Sequence, residues 1–418
     1  MVGYNKIIFK GIENMIDIDK AESLYDESIK ILKKVQLDNG GCLATSEDER
    51  YPYIYPRDHS LIILGFISAG LFNEARKGLE FILNTHTGKG AFPQRVDTKG
   101  NDASYKPIQI DGTGLVLYSL ARYVTETEDY DFAEQYFNRV KRAVNYIIDH
   151  SYENIEGTYE KQKHNLEMPL IYTPNSLHEY PPTEAGLEIW ANCVCCSALL
   201  EIFDISKKID EVQLQCEQYA KKVKKGILKY MWNSRKKTFV KTIRVRESSS
   251  VLVDPDVGKY AVADFGILND EDERVISTVT DIEKNLWNQQ LGGICRYPKY
   301  EGRNNGGWGP WPNYTLMICR HHIRVENKQK TDQYLNWVLN RSFELKLPEH
   351  VSSVSEFEEY VQDFKESGLL REDRKKMIQN ARNHPLYHEG IAYITIPLAW
   401  AHAEFIRTYN LYKEQFKG

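Results

Sequence analysis

The sequence predicts an all-α fold, a closed ring of helix hairpins with its long loops gathered on one face. Three observations predict it. Apolar residues recur at helical spacing along most of the chain. Strand-like alternation is confined to one stretch, Thr238 to Ile243, which reads as one short hairpin arm. Short turns alternate with six long connections, 41–56, 87–110, 150–186, 232–255, 287–310 and 346–390, all rich in Tyr, Pro, Gly and charge. Loops of that length inside a compact domain are usually functional. A helical solenoid would instead repeat at a fixed period, and no such repeat is visible.

Each helix has its own justification. Leu24, Ser28, Ile31, Leu32 and Val35 form an apolar stripe that Asn39-Gly40-Gly41 stops. Helices over 57–69 and 73–83 are divided by a glycine-containing turn, and 111–124 and 130–148 make the next pair. A stripe of Leu187, Trp190, Ala191, Val194, Ala198 and Ile202 opens after Pro181-Pro182. A second stripe follows at Ile209, Val212, Cys216, Ala220, Val223, Ile227 and Met231. The segments 275–286, 311–322, 331–345 and 391–412 continue the pattern, with further helices expected near 256–266 and 367–380. The total is twelve or thirteen helices.

Composition excludes several classes. The 418 residues carry 54 Lys plus Arg and 59 Asp plus Glu, a net charge of -5. That balance lacks the basic surplus of a general nucleic-acid binder or a polybasic membrane anchor. No uninterrupted run of about eighteen apolar residues predicts a spanning helix. The first residues lack the apolar core and cleavage site of a signal peptide. Seven cysteines is an odd count, and Cys193, Cys195 and Cys196 crowd into one helical pattern. Disulfide frameworks favour spaced, even sets, so the expectation is reduced thiols and a cytoplasmic protein. The same cluster lacks a partner pair or nearby His to complete four metal ligands, so small buried helix residues are the preferred reading. Tyrosine is abundant, 27 against 6 Met, either as core filler or as rings lining a polar groove.

The long loops hold the chemistry-bearing residues. Tyr51-Pro52-Tyr53-Ile54-Tyr55-Pro56-Arg57-Asp58 sets three rings beside a charge pair at a helix start. Asp58 reads as a helix cap and Arg57 as its ion-pair partner, or the set reads as a sugar subsite, with rings for the apolar sugar face and charged groups for hydroxyls. The second loop carries Phe92-Pro93-Gln94-Arg95, then Tyr105 and Gln109-Ile110-Asp111-Gly112, where Asp111 is again a cap candidate. The third carries Ser176-Leu177-His178-Glu179-Tyr180; the fifth Arg296-Tyr297-Pro298 and Gly306-Gly307-Trp308-Gly309-Pro310-Trp311; the sixth Leu347-Pro348-Glu349-His350. No HExxH, P-loop or GxSxG pattern is present, so no metal or cofactor is expected. What remains is carboxylates among rings. A carboxyl pair cuts a glycosidic bond when one member keeps its proton and the other stays ionised.

Taken in order, these motifs resemble glycoside hydrolase family 15, the glucoamylases, glucodextranases and related trehalases, from about residue 45 to residue 408. The resemblance implies an (α/α)6 barrel, one catalytic domain over 1–418 with a short extension at 1–18, and net inversion at the anomeric carbon. It implies that Glu179 is the general acid and Glu349 the general base. Arg57 and Asp58 would hold hydroxyls of the terminal glucose, with Tyr51, Tyr55, Tyr105, Gln109, Asp111, His178, Tyr180, Arg296, Tyr297 and Trp311 as further sugar contacts. Pro397 to Phe405 is close to the family's last barrel helix. Tyr55, Tyr105 and His178 stand where the family often has Trp, which bears on the subsites beyond the first sugar. No counterpart of the β-sandwich that precedes the barrel in many prokaryotic members, nor of a starch-binding module, is expected. About 47 residues separate Pro348 from Thr395, longer than the family leads one to expect, and they hold a second base candidate, Glu389. Glu349 is read ahead of it.

The leading expectation is an inverting, exo-acting α-glucosidase acting on non-reducing ends of short α-glucans. The alternatives are a trehalase or glucodextranase of the same family, or a non-catalytic carbohydrate-binding barrel.

Overall fold

A computed structural model describes residues 15–46, 49–153, 168–174, 177, 186–244, 251–299, 308–368 and 370–416. Fourteen α-helices are described among these residues: α1 (Ile18–Val35), α2 (Pro56–Ser68), α3 (Phe72–Leu83), α4 (Ile110–Thr127), α5 (Tyr130–Asp149), α6 (Ile189–Lys208), α7 (Leu214–Tyr230), α8 (Ala261–Asp264), α9 (Glu273–Leu286), α10 (Pro312–Arg324), α11 (Lys328–Arg341), α12 (Val354–Glu366), α13 (Glu372–Asn383) and α14 (Ala399–Phe416). Twelve of them make the barrel.

The inner ring is α2, α4, α6, α8, α10 and α14. Each packs on the next, α10 meeting the turn that leads into α8 and bonding Asp264 of α8 through Arg320, and α14 returns to α2, which closes the ring. The fourth inner helix is short, and a 3-10 turn at Val257–Tyr260 runs directly into it. The outer helices α3, α5, α7, α11 and α1 lie on α2, α4, α6, α10 and α14, while α9 backs the 3-10 turn. Every inner helix is entered through a long connection, and each of the first five is left through a short one. All six inner N-termini and all six long loops therefore share one face. There the partial positive charge of the helix ends favours carboxylates.

Residue size sets how closely the inner helices approach. A Cβ on Gly114 of α4 would stand 2.8 Å from the Cys195 Sγ of α6, and one on Gly65 of α2 2.8 Å from the Ala403 Cβ of α14. The cysteines of α6 are fully buried, small residues at helix contacts. None forms a disulfide, and among the described residues no group of His, Cys, Asp and Glu converges as a metal site. By length and composition α6 is apolar enough to cross a membrane, but 72% of its most apolar window is buried inside the barrel, as the core helix of such a ring must be. Opposite it, Arg320 of α10 bonds Asp264 of α8 at 2.9 Å and also bonds Glu404 of α14, joining three inner helices. Burial raises the carboxyl pKa of Asp264, yet the guanidinium groups of Arg320, Arg407 and Arg324 outweigh it and hold the group at about 2.

The structure corrects several boundaries. Leu187 and Glu188 are extended, in β1 (Gly186–Glu188), and α6 begins one residue later. β1 pairs with β4 (Thr242–Arg244), which pairs with β5 (Val251–Leu252), so the single expected hairpin arm is part of a three-stranded sheet. Thr238–Phe239 belongs instead to β3, paired with β2 (Trp232–Asn233). The stretch 391–394, expected to be helical, is strand β7 (Ile391–Ile394), antiparallel to β6 (His350–Ser353). Its β-branched residues and the proline at 397 favour an extended chain there, and α14 starts only at Ala399. The long connection 346–390 holds two helices, α12 and α13, with a small core of their own.

Candidate active site

The loop face is built from inner-helix N-termini. Tyr55 is the N-cap residue of α2 and Pro56 its first residue, so Arg57 and Asp58 fall in the first turn and Asp58 is not the cap. Gln109 is the N-cap residue of α4, and Asp111 lies in that helix's first turn, again not a cap. Asp111 is fully buried because it has a partner: Arg57 Nε donates to its Oδ2 at 2.8 Å, and Trp190 Nε1 donates to the same oxygen at 3.1 Å. One carboxylate thus ties α2, α4 and α6 together and fixes the Arg57 fork.

The next two N-termini carry carboxyl groups that the sequence did not single out. Glu188, at the end of β1, caps α6 and accepts from Trp190 N at 2.9 Å and Ala191 N at 2.8 Å. Asp256 caps the 3-10 turn through Gly258 N at 2.7 Å and pairs with Lys241 Nζ at 3.4 Å. Burial pushes the Glu188 pKa up, nearby Asp111 and Asp256 push it further, and the two backbone N–H groups only partly oppose this, so it stands at about 8. Both Glu188 oxygens accept from the first turn of α6, and the residue has no exposed surface.

The shift has a stability consequence. The folded pKa lies above the ordinary 4.5, so the native state binds the extra proton between these values and stability falls as pH rises through that window. Glu188→Gln should flatten the loss. Thermal unfolding at about pH 5 and about pH 8 should show a smaller Tm difference for the variant than for the parent. An unchanged difference counts against the raised pKa.

Glu349 enters the face from the other side. Its backbone N–H is held by the Ile394 and Thr395 carbonyls at 3.1 and 2.8 Å, at the start of the β6–β7 ladder. Its Oε1 accepts from the Tyr51 hydroxyl at 3.3 Å, and its Oε2 lies 3.9 Å from Arg50 Nη1. Tyr51 packs edge-on against Tyr55, with centroids 6.1 Å apart. His350 stacks on Trp311 at 4.9 Å, and Arg296 lies 5.5 Å from both the Tyr297 and Trp311 rings. Burial, with Arg50 and Arg296 nearby, drives the His350 pKa down to about 3, so this imidazole is neutral. Gly309, at φ 153°, lets the fifth loop pass so close to β6 that an added Cβ would meet the Val351 carbonyl oxygen at 1.9 Å.

The structure therefore gathers Tyr51, Tyr55, Arg296, Tyr297, Trp311 and Glu349 at one end of the ring, with Arg57, Asp58, Gln109 and Asp111 at the helix N-termini there. Tyr105 is 47% exposed at the rim and is linked inward through Arg95, which lies 4.4 Å from its ring and 3.9 Å from that of Tyr53. Glu389 is exposed in the turn before β7. His178, Glu179 and Tyr180 lie outside the described residues. Sequence reasoning missed Arg50, Glu188, Lys241 and Asp256. Only Glu188 had a readable signal, a carboxylate just before the apolar stripe of α6.

With its ring of six helix hairpins and the carboxylates and aromatic rings at its inner N-termini, this chain has the (α/α)6 fold of solved glucoamylases. It belongs to the amylo-alpha-1,6-glucosidase family, whose model matches residues 55–289. An uncharacterized glycosyl hydrolase of Methanocaldococcus jannaschii is 24% identical over 349 residues, 80% of this chain; the chain spans about half, 52%, of that relative's length. A glycosidase variant solved in complex with glucose superposes with a TM-score of 0.71 at 14% identity, covering 94% of this chain and 98% of that one. A bacterial glucoamylase complexed with acarbose gives 0.66 at 15% identity, over 97% and 59% of the two chains. The glucoamylase of Saccharomycopsis fibuligera gives 0.62 at 13% identity, over 97% and 98%.

Proposed function

We propose that this protein is an inverting, exo-acting α-glucoside hydrolase that releases glucose from the non-reducing ends of short α-glucans. The observation that carries the reading is the seat of Glu349. It is 8% exposed, held by the Tyr51 hydroxyl, and set beside the Arg50 guanidinium that favours its ionised form. In that state it takes a proton from a water attacking the anomeric carbon. Glu179, on the third loop, protonates the leaving oxygen. For an inverting pair the two carboxyls stand roughly 6.5–9.5 Å apart, which leaves room for that water. Arg57 and Asp58 hold hydroxyls of the terminal glucose, and Tyr55, Trp311 and Tyr297 supply ring surface. The exposed Glu389 lacks such a setting, so Glu349 is preferred as base. The family name adds weight to α-1,6 linkages.

The test is a panel of maltose, maltotriose, isomaltose, trehalose and dextran, read by glucose release and by proton NMR of the first product. Release from at least one α-glucoside with β-glucose appearing first is expected. α-Glucose first removes inversion, and silence across the panel moves the reading to a carbohydrate-binding barrel.

A further inference from the structure

The helical insert between β6 and β7 has no part in closing the barrel. The chain leaves the ladder at Ser353 and re-enters at Ile391, directly opposite, and Val354 N bonds the Gly390 carbonyl at 3.0 Å. Between these points α12 and α13 bury Phe357, Val361, Phe364, Met377 and Ile378 in their own core. A module that needed only to be stable has no reason to reach further, yet this one bonds three of the long loops. Asp373 lies 3.8 Å from Arg50 Nε of the first loop, the same guanidinium that stands 3.9 Å from Glu349, and Met377 Sδ lies 3.2 Å from Arg50 Nη1. Arg371 lies 5.7 Å from the Tyr105 ring of the second loop. Glu356 and Glu359 each lie 3.3 Å from Lys299 of the fifth. Tyr360, 5% exposed and near Arg50 and Glu349, has a buried hydroxyl with no hydrogen-bond partner among the described residues. A buried hydroxyl left so is costly unless a ligand meets it.

We infer that the 354–390 insert is the wall of the leaving-group side of the site. It spans the mouth from the first two loops to the fifth and restricts the protein to short α-glucosides, with Tyr360 and Arg371 meeting the sugar beyond the scissile bond. The inference rests on the α-glucoside reading above. A terminal glucose seated against Glu349 projects its aglycone outward, past Arg50 and under α12 and α13. One further sugar finds the Tyr360 hydroxyl and the stacked Tyr53, Arg95, Tyr105 and Arg371 groups; a long chain meets the insert.

The experiment compares the full chain with Arg371→Ala, Tyr360→Phe and a variant in which 354–390 is replaced by Asn-Gly, a turn that suits the β6–β7 register. The readout is kcat/KM for the disaccharide and the heptasaccharide of the preferred linkage. The parent should favour the disaccharide. Excision should raise the heptasaccharide-to-disaccharide ratio about 10-fold or more, and the point variants should raise KM for the disaccharide about 10-fold, the range of a lost subsite contact. If the excised protein does not fold, the point variants decide. Ratios and KM values unchanged in the folded variants overturn the wall. Calorimetric titration of both sugars onto the parent separates the two readings. Binding of the disaccharide alone, without hydrolysis, keeps the wall and removes the hydrolase. Equal binding of both sugars removes the wall, and binding of neither removes both.

Discussion

Glu349→Gln is expected to lower kcat by about 10³-fold or more, with the protein still folded, because general base catalysis supplies that order of acceleration. The substitution is nearly isosteric. The main-chain bonds to Ile394 and Thr395 do not involve the side chain, and an amide oxygen still accepts from Tyr51. The Arg50 charge loses one neighbour but keeps Asp373 at 3.8 Å, so only a small stability change is expected. What disappears is the ability to take a proton from water. Glu179→Gln should act equally strongly, but with a different signature. Substrates with good leaving groups should be spared, because a leaving group that departs unaided needs no acid. Glu389→Gln, in an exposed turn, should leave kcat unchanged. Near-full activity of Glu349→Gln, or a large loss in Glu389→Gln, reverses the choice of base.

Much of this site was legible in sequence because it depends on local order. Each long loop ends at an inner helix, so a motif at a predicted helix start is delivered to the loop face once the ring closes. That places Arg57, Asp111 and Trp311 without any knowledge of tertiary contacts. The cap alternative for Asp58 and Asp111 falls for a related reason. A carboxylate near a helix start looks like a cap, but Pro56 already occupies the first position of α2 and the partner of Asp111 is Arg57, 54 residues away. Arg50 was invisible because its partners Glu349 and Asp373 come from distant loops, and Lys241 and Asp256 because their pairing depends on how the fourth connection folds back before α8. The segment 391–394 was misjudged because a short apolar run fits a strand or a helix equally well. Only pairing with β6 decides, and β6 lies on the far side of a 37-residue insert, residues 354 to 390.

The buried pair beneath the site gives the second large effect, and it separates structure from function. Arg57→Met leaves Asp111, 0% exposed, with the Trp190 indole as its remaining donor among those described above, and removing one partner of a buried pair costs about 3–5 kcal/mol. Chemical denaturation should show a loss of that size. Arg57→Lys keeps the charge but not the planar fork, so it should cost less stability while kcat/KM still falls by about 10-fold or more, since a lysine cannot hold a carboxylate and a sugar hydroxyl in the same fixed plane. The double variant Arg57→Met/Asp111→Leu then decides what the pair is for. Replacing both charges by apolar groups of similar volume should recover most of the lost stability, short of about 1–3 kcal/mol for the Trp190 N–H left without its acceptor. Activity should not recover with it. If activity returns along with stability, Arg57 is only a strut between α2 and α4, and its place in the sugar site has to be given up.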